Sequence, residues 1–396
     1  MKKYILIILC CLTSFPLWSY NVNMIVEHYS VDQGLPNNTV NCTLKDRDGF
    51  IWFGTWYGLC CFDGVKFKTF NKQEHDSDVP PRKIQRIVED KNGYIWVKTI
   101  DRKLYVFNKV TECFHAVYDD MKNYSENIQV IKLQNTAEGD VLLLTKDKNL
   151  LLAGVDEKGQ VTIKILFDSR DEINKHDYTL KHHVLCETEE YISWIGTDYK
   201  VSAVHKGAEL ASRPADFITS KINSGDKDSF TSFFEDGRKV WVGDRAGIFY
   251  SIDVRTGLVN RYVLSEIKGA ISNLLVTPAG YVYLSVAGQG TYEYDLAERR
   301  LQKINTEMND AMVTHAFIDQ YDKIWFHENE KALIYYDPLN HTAKRFPFTM
   351  FGKITTLYSE DAGERGLFFL SPAGEAWLFD REHAEMVYIN KLKFRI

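Results

Sequence analysis

Short runs of alternating hydrophobic and polar residues recur along the chain, and turn-forming residues separate them. In the first copy, residues 39–44 alternate polar and apolar, and residues 50–53 are β-branched or aromatic, as is typical of strands. The Asp-Arg-Asp-Gly segment at 46–49 predicts a tight hairpin turn between them. Two further runs follow at 59–62 and 65–70. Four short antiparallel strands in a unit of about 45 residues make a propeller blade.

One large residue marks the centre of the second strand in each copy of this pattern. Successive centres are 42 to 52 residues apart, and a period this regular indicates an array of one supersecondary unit. No segment shows the sustained three- and four-residue spacing of helices. The centres are Trp52, Trp96, Leu142, Trp194, Trp241, Tyr283, Trp325 and Phe368.

The sequence therefore predicts an all-β fold, a β-propeller of seven or eight four-stranded blades. Eight centres are compatible with an eight-bladed ring, and equally with a seven-bladed ring followed by one blade of another domain. The motif tryptophans lie in mid-strand at the period of the fold. We therefore expect the following residues to form the structural core between blades: Trp52, Trp96, Trp194, Trp241 and Trp325.

The first 19 residues have the pattern of a cleaved secretory signal peptide. Lys2 and Lys3 precede an apolar run at 5–12, and polar chain resumes at Ser19, which is the order that such peptides show. The apolar run is shorter than the roughly 18 residues that a membrane span needs. We expect residues 1–19 to be removed on export, which leaves the propeller at residues 20–396.

The composition and residue spacing mainly exclude classes of function. The formal net charge of −6 becomes −8 when Lys2 and Lys3 are removed, and the chain has no basic run, which argues against nucleic acid as a partner. No group of residues has the spacing of a catalytic or zinc site, so we expect no catalytic residues, no metal and no cofactor. Asp46 and Asp48 resemble the opening of a calcium loop, but Tyr57 stands where the last ligand belongs, which favours a turn.

Three strings in the first copy closely resemble the two-component regulator propeller repeat. They are Gln-Gly-Leu-Pro-Asn-Asn-Thr-Val at 33–40, Asp-Gly-Phe-Ile-Trp-Phe-Gly-Thr at 48–55, and Gly-Leu at 58–59 followed by Phe-Asp-Gly at 62–64. Together they tie a turn, two strands and their connection in one order, which makes them more specific than any single motif. The resemblance extends over nearly all of the chain after residue 19 and is strongest at 29–107.

This resemblance implies the periplasmic sensor region of a Bacteroides-type hybrid two-component system, which regulates polysaccharide utilisation. Such proteins usually carry two propellers, a β-sandwich, a membrane helix and a histidine kinase core, often with receiver and DNA-binding domains. None of the kinase, receiver or DNA-binding motifs is recognisable before Ile396, so we do not expect an enzyme. The chain would be either the front part of an interrupted sensor or a stand-alone binding propeller. The expected partners are an oligosaccharide, a membrane histidine kinase or the remainder of the sensor, and, by analogy with the family, a second copy.

Up-and-down strand order places the turns between second and third strands on one face, together with the crossovers between blades. Propellers generally bind ligands there. Aromatic rings stack on the apolar faces of sugars, while Arg and Lys pair with carboxylates or sulfates, so the turn residues suit an acidic oligosaccharide. The candidate ligand-binding residues are Trp56, Tyr57, Arg102, Lys148, Tyr199, Lys200, Arg245, Gln289 and His327.

Two other functions are compatible with the sequence. A periplasmic protein-interaction scaffold would capture a partner protein and be indifferent to sugars. A propeller lyase or glycosidase would act on uronic-acid polymers, with a Tyr or His base abstracting a proton next to a carboxylate.

Overall fold

The computed structural model of the 396-residue chain describes residues 29–70, 80–121, 129–146, 149–167, 185–187, 190–195, 200–206, 217–221, 230–236, 238–304, 313–328, 331–351, 358–361, 366–371 and 375–391. The predicted signal peptide lies outside these residues. The described residues form two compact units, a larger one of 29–328 and 333–345 and a smaller one of 331–332 and 346–391. None of the described helices is long and apolar enough to cross a membrane.

Four-stranded antiparallel sheets make up almost all of the regular structure, and each sheet pairs four strands in chain order. Sheets one to four comprise β1 (Val40–Lys45), β2 (Ile51–Thr55), β3 (Gly58–Phe62), β4 (Phe67–Phe70); β5 (Ile84–Glu89), β6 (Ile95–Thr99), β7 (Leu104–Asn108), β8 (Cys113–Ala116); β9 (Val130–Asn135), β10 (Val141–Thr145), β11 (Leu150–Val155), β12 (Val161–Phe167); β13 (Leu185–Glu187), β14 (Tyr191–Ile195), β15 (Lys200–His205) and β16 (Phe217–Lys221).

The second half of the chain continues the same pattern. Sheets five to eight comprise β17 (Phe230–Glu235), β18 (Lys239–Asp244), β19 (Ile248–Asp253), β20 (Val259–Val263); β21 (Ile271–Val276), β22 (Tyr281–Val286), β23 (Gly290–Asp295), β24 (Arg300–Lys303); β25 (Val313–Ile318), β26 (Ile324–Glu328), β27 (Ala332–Asp337), β28 (Thr342–Pro347); β29 (Tyr358–Asp361), β30 (Leu367–Leu370), β31 (Glu375–Asp380) and β32 (Glu385–Lys391). One α-helical turn, α1 (Tyr118–Met121), follows β8, and 3₁₀ turns occupy Val31–Gln33 and Phe348–Phe351.

The sequence prediction of repeated four-stranded antiparallel units is confirmed. Each of the eight centres lies in the second strand of its sheet, from Trp52 in β2 to Phe368 in β30. The eighth sheet, β29 to β32, belongs to the smaller unit, and the first six sheets belong entirely to the larger one.

A buried aspartate at the first hairpin ties the turn to the central tryptophan. In sheet one, Oδ1 of Asp46 accepts the backbone N–H groups of Asp48 at 3.0 Å and Phe50 at 2.9 Å, while Oδ2 accepts Nε1–H of Trp52 at 2.8 Å. The carboxylate is thus hydrogen-bonded at both oxygens, which offsets the cost of its burial.

The same arrangement recurs in three other sheets. The indole Nε1–H of Trp96 donates to Asp90 at 2.9 Å, that of Trp241 to Asp236 at 2.7 Å, and that of Trp325 to Asp319 at 3.3 Å. In each case the other carboxylate oxygen accepts two backbone N–H groups of the turn.

The tryptophans of sheets one, two and five pack between neighbouring sheets. Trp52 belongs to a buried cluster with residues of sheet two, and its ring centroid lies 5.6 Å from that of Phe107. Trp96 joins a cluster that includes sheet three, and Trp241 joins one that includes sheet six. Trp325 is buried with ring contacts to its own sheet, and the side chain of Trp194 lies outside the described residues.

A lysine on sheet two lies among three carboxylates at the hairpin end of sheets one and two. Nζ of Lys109 lies 3.1 Å from Asp46 Oδ2, 2.8 Å from Asp48 Oδ2 and 2.8 Å from Glu89 Oε1. These carboxylates are close enough together to share a metal ion, but the ammonium group already lies between them. Burial acts to lower the pKa of Lys109, yet its bonds to the three carboxylates raise it above the usual range.

We expect Asp90→Ala to destabilise the protein strongly. The change leaves the Trp96 indole and two turn amides without their acceptor, at a cost of about 2–4 kcal/mol in the free energy of unfolding. Urea denaturation followed by tryptophan fluorescence measures this. The matched control is Asp63→Ala, because Asp63 accepts two turn amides but lies at an exposed turn without a tryptophan. Equal losses in the two variants would show that the indole bond contributes nothing.

Lys109→Met should destabilise the protein most near neutral pH, by about 3 kcal/mol, because it leaves partly buried carboxylates without their cation. Burial acts to raise the pKa of Asp46, but hydrogen bonds from Trp52 and Lys109 lower it overall. A lowered carboxyl pKa stabilises the fold above the unfolded value of about 3.9, and this contribution disappears as pH falls through the folded pKa. The difference between variant and wild type should therefore shrink below about pH 4.

The unfolding free energies of the two proteins between pH 3 and pH 7 provide the measurement. Lys68→Met is the control, because Lys68 forms an exposed pair with Glu112 and should cost less than about 1 kcal/mol. A Lys109→Met deficit that is constant across this range would contradict the expected carboxylate contribution.

Candidate functional site

The turns between second and third strands lie beside the segments that lead into the first strands. Trp56 N–H donates to Thr39 C=O at 3.3 Å, and Lys83 N–H donates to Trp56 C=O at 2.9 Å. Ile100 N–H then donates to Lys83 C=O at 2.9 Å, and Val130 N–H to Arg102 C=O at 3.0 Å. We call this continuous surface across sheets one to three the loop face.

Two exposed aromatic side chains mark the loop face at sheet one. Trp56 is 41% exposed and Tyr57 is 65% exposed. Nζ of Lys83 lies 5.3 Å from the centroid of the Trp56 ring, a distance at which a cation is attracted to the ring face. The hydroxyl of Thr55 accepts the backbone N–H of Tyr57 at 3.2 Å, which helps to hold the turn that carries both rings.

The first copy shows why its second strand carries glycine two positions after the tryptophan. A Cβ added at Gly54 would lie 2.4 Å from Sγ of Cys42 and 2.6 Å from Cγ2 of Ile84. In sheet five, a Cβ at Gly243 would meet Ser232 Oγ at the same 2.4 Å. The position therefore faces the first strand and the next sheet with no room for a side chain.

Sheet two places a lysine at this crowded position. Lys98 is opposite Arg86 in the pairing of β6 with β5, as Gly54 is opposite Cys42 in sheet one. Lys98 is only 6% exposed, and among the described residues its ammonium donates to the side chain of Gln85 and is paired with no carboxylate. Burial, and secondarily the charge of Arg102, lower the pKa of Lys98.

We call Lys98, its strand-pairing partner Arg86 and the neighbouring turn residue Arg102 the cationic cluster. The acidic residue of the same turn, Asp101, forms an ion pair with Lys103 at 3.6 Å. Arg102 adopts a φ of 65° in the turn and its guanidinium donates to Gln129 at 3.4 Å. A buried ammonium without a described carboxylate partner, close enough to Arg102 for that charge to lower its pKa, is suited to binding an anion.

The other predicted residues do not all share this location. Arg245 is exposed in the β18–β19 turn. Gln289 lies in the β22–β23 turn, where its amide accepts Lys268 N–H at 2.8 Å and donates to Glu266 C=O at 3.2 Å. Lys200 begins β15, but its side chain is not described. Lys148 and Tyr199 lie wholly outside the described residues.

His327 lies within strand β26, and its prediction as a turn residue is wrong. It occupies the same repeat position as Gly54 and Lys98, and it pairs directly with His315 on β25. Its Nδ1 lies 2.8 Å from the Thr314 hydroxyl. Burial, and then the neighbouring His315, lower the pKa of His327.

Sequence reasoning missed Lys83, Arg86 and Lys98. The sequence contains a signal for Lys98. Residues 96–99 repeat the Trp and Thr of residues 52–55 and have an apolar residue after the Trp in both copies, but Lys98 replaces Gly54. A long cationic side chain where the repeat leaves no space for a Cβ indicates a local rearrangement, and strand pairing then identifies Arg86 as its neighbour.

Comparisons with known proteins agree with the repeat identified in the first copy. Residues 34–57 match the family model described as two component regulator propeller, which confirms the predicted resemblance in this part of the chain. None of the proteins with curated functions matches the chain.

Several solved structures resemble the chain over most of its length. The extracellular domain of a proposed hybrid two-component system from B. thetaiotaomicron matches with 15% identity and a TM-score of 0.37, over 93% of this chain and 55% of that one. A virginiamycin B lyase from Staphylococcus aureus matches with 11% identity and a TM-score of 0.42, over 76% and 94%. The Dos1 propeller matches with 13% identity and a TM-score of 0.51, over 86% and 90%.

The Dos1 match supports the predicted β-propeller class. The chain spans 55% to 61% of the chains in three structures of two B. thetaiotaomicron extracellular domains that it resembles.

We expect Lys98→Met to raise the free energy of unfolding by about 1–2 kcal/mol near pH 7, because it replaces a buried cation, for which the described residues provide no carboxylate partner, with an apolar chain of similar length. A lysine pKa lowered in the folded state destabilises the fold below that pKa. This cost disappears as pH rises towards the unfolded value of about 10.4, so the gain should shrink at high pH. Urea denaturation at pH 7 and pH 10 measures it.

The matched control for this change is Lys103→Met, because Lys103 is half exposed and paired with Asp101. It should alter the unfolding free energy by less than about 1 kcal/mol. A loss of stability in Lys98→Met would show that Lys98 is a structural residue.

Proposed function

We propose that this chain is the ligand-binding part of a sensor, and that it binds an acidic oligosaccharide on the loop face at sheets one and two. The observation that carries the proposal is the buried Lys98 with Arg86 and Arg102 in sheet two, on the same loop face as the exposed rings of Trp56 and Tyr57, to which backbone hydrogen bonds through Lys83 connect it. A buried cation that costs stability is typical of a site retained for function.

The two exposed aromatic residues and the cationic cluster suit the two chemical features of an acidic sugar. A pyranose ring has an apolar face that stacks on aromatic side chains, and Trp56 and Tyr57 supply such surfaces. A uronate carboxylate or a sulfate requires charge-assisted donors, which the lysine and arginines supply. Lys83 lies against Trp56 and would contribute a further cation at the edge of the site.

The matching repeat at residues 34–57 supports a role in signal transduction. In this proposal the chain works in the periplasm and regulates polysaccharide utilisation. The signal passes to a membrane histidine kinase, or to the remainder of a longer sensor, and a second copy of the chain takes part in that assembly.

The double change Trp56→Ala and Tyr57→Ala, and separately Lys98→Met, should each weaken binding of acidic oligosaccharides by about 10- to 100-fold, as expected from the loss of about 1.4–2.8 kcal/mol. Calorimetric titration with uronic-acid and sulfated oligosaccharides measures the affinity, and a panel of neutral homologues tests the requirement for charge. Binding by the wild type should weaken as salt is raised, because the cluster is partly exposed.

Lys68→Met is the control for net charge, because Lys68 is exposed on β4 and paired with Glu112. It should leave the affinity unchanged. If Lys98→Met binds acidic oligosaccharides as tightly as the wild type, the cationic cluster is not the site. If the wild type binds no glycan and instead captures a periplasmic protein, the chain is an interaction scaffold.

A further inference from the structure

A separate pocket lies between the outer strands of sheets two and three. Its volume is about 400 Å³, within the range of about 300–1,000 Å³ that small-molecule sites occupy. One wall is formed by β7, β8 and α1, and the other by the β11–β12 turn and the start of β12. The polar and reactive side chains that line it are Tyr94, Asn108, Thr111, Cys113, His115, Asp120 and Gln160.

The walls of this pocket are held by a shared core. Tyr94 and Val161 pack against a buried cluster that contains Trp96 and Val106 from sheet two together with residues of sheet three. The side-chain amide of Asn92 donates to the Val155 carbonyl and so links the two sheets at the rim. A cleft supported by one continuous core is preorganised, which reduces the entropy lost when a ligand binds.

Three hydrogen bonds orient polar groups at the pocket. His115 Nε2 lies 2.7 Å from Asp120 Oδ2, and both side chains are about one third exposed. The Asn108 side-chain oxygen accepts the backbone N–H groups of Val110 at 2.8 Å and Thr111 at 3.1 Å. That arrangement directs the amide NH₂ of Asn108 away from its own turn.

The charge of the pocket differs from that of the loop face. No lysine or arginine is among the described residues that line it, and the charged groups among them are Asp120 and, when protonated, His115. An anionic ligand would meet a carboxylate and find no permanent cation there, so anions are disfavoured. Neutral donors and acceptors, one tyrosine ring and two valines remain as the recognition surface.

From this combination we infer that the pocket is a second binding site, for a neutral sugar ring the size of a monosaccharide. Such a ring presents hydroxyl groups to the amides and the His115–Asp120 pair, and its apolar face to Tyr94, Val106 or Val161. The site is independent of the acidic-oligosaccharide site on the loop face and does not rest on the function proposed for that face.

Cys113 offers a direct test because it is a free cysteine that lines the pocket. Burial raises the pKa of the thiols of Cys42, Cys60 and Cys61 to about 11, 12 and 11, so these react slowly near neutral pH. The experiment measures the rate of Cys113 alkylation by iodoacetamide, peptide by peptide in a mass spectrometer. The purified chain is tested with neutral hexoses, pentoses and N-acetylhexosamines, and with uronic acids.

We expect at least one neutral sugar to slow Cys113 alkylation saturably, by five-fold or more, with the same half-saturation seen in a calorimetric titration. Thr111→Trp, at an exposed position on the rim, should block the pocket, slow alkylation without sugar and abolish the sugar effect. Thr111→Ser is the matched control and should behave as the wild type.

The inference is overturned if none of the neutral sugars protects Cys113, or if uronic acids protect it equally well. Protection that persists in Thr111→Trp would also overturn it, because the sugar would then act from another site. Lys98→Met separates the two proposals: it should leave protection of Cys113 unchanged whether or not it affects binding on the loop face.

Discussion

The hydrogen-bonded pair of a turn aspartate and a tryptophan is the interaction on which the rest of the structure depends. In sheets one, two, five and seven, one carboxylate binds the indole through one oxygen and two turn amides through the other. In sheets one, two and seven this carboxylate is buried, and a buried carboxylate is costly unless its oxygens are satisfied, so the three donors favour the observed turn geometry. In sheets one, two and five the same indole packs against the neighbouring sheet. The local hairpin and the packing of adjacent sheets are therefore set together.

Sheets three and six lack this pair and have other residues at the same positions. Sheets three and six carry Thr136 and Thr277 at the turn, and each hydroxyl accepts one amide, at 3.0 and 3.2 Å. Their central residues are Leu142, which has no polar group, and Tyr283, whose hydroxyl donates to Glu293 at 2.8 Å. Glu293 also accepts from Tyr336 of sheet seven at 3.3 Å. In sheet six the buried carboxylate is thus that of Glu293 on the third strand, and it links sheets six and seven. The fourth copy combines Thr188 with Trp194, and this turn lies outside the described residues.

The candidate site arises where the repeat departs from its own packing rule. Glycine at the second position after the tryptophan is enforced in sheets one and five by first-strand side chains less than 3 Å from an added Cβ. Sheet two has Lys98 opposite Arg86 there, and sheet seven has His327 opposite His315. Both substitutions place titratable groups where burial lowers their pKa. Glycine is the residue that this position accommodates at the lowest cost in stability. Stability alone therefore does not explain a basic residue there.

The sequence by itself determined the repeat, the four strands of each unit and the centre of every second strand, because period-two alternation and Asp-Gly turns are local properties of the chain. It also identified the turn at Trp56 and Tyr57. It could not bring Lys83 onto the Trp56 ring or Arg86 beside Lys98, since these contacts depend on strand pairing and on the neighbouring sheet. It placed His327 in a turn, whereas strand β26 extends through this residue. Only the tertiary structure decided which charges share a site and that His115, Asp120 and Gln160 line one pocket, because proximity between sheets leaves no periodic trace in the sequence.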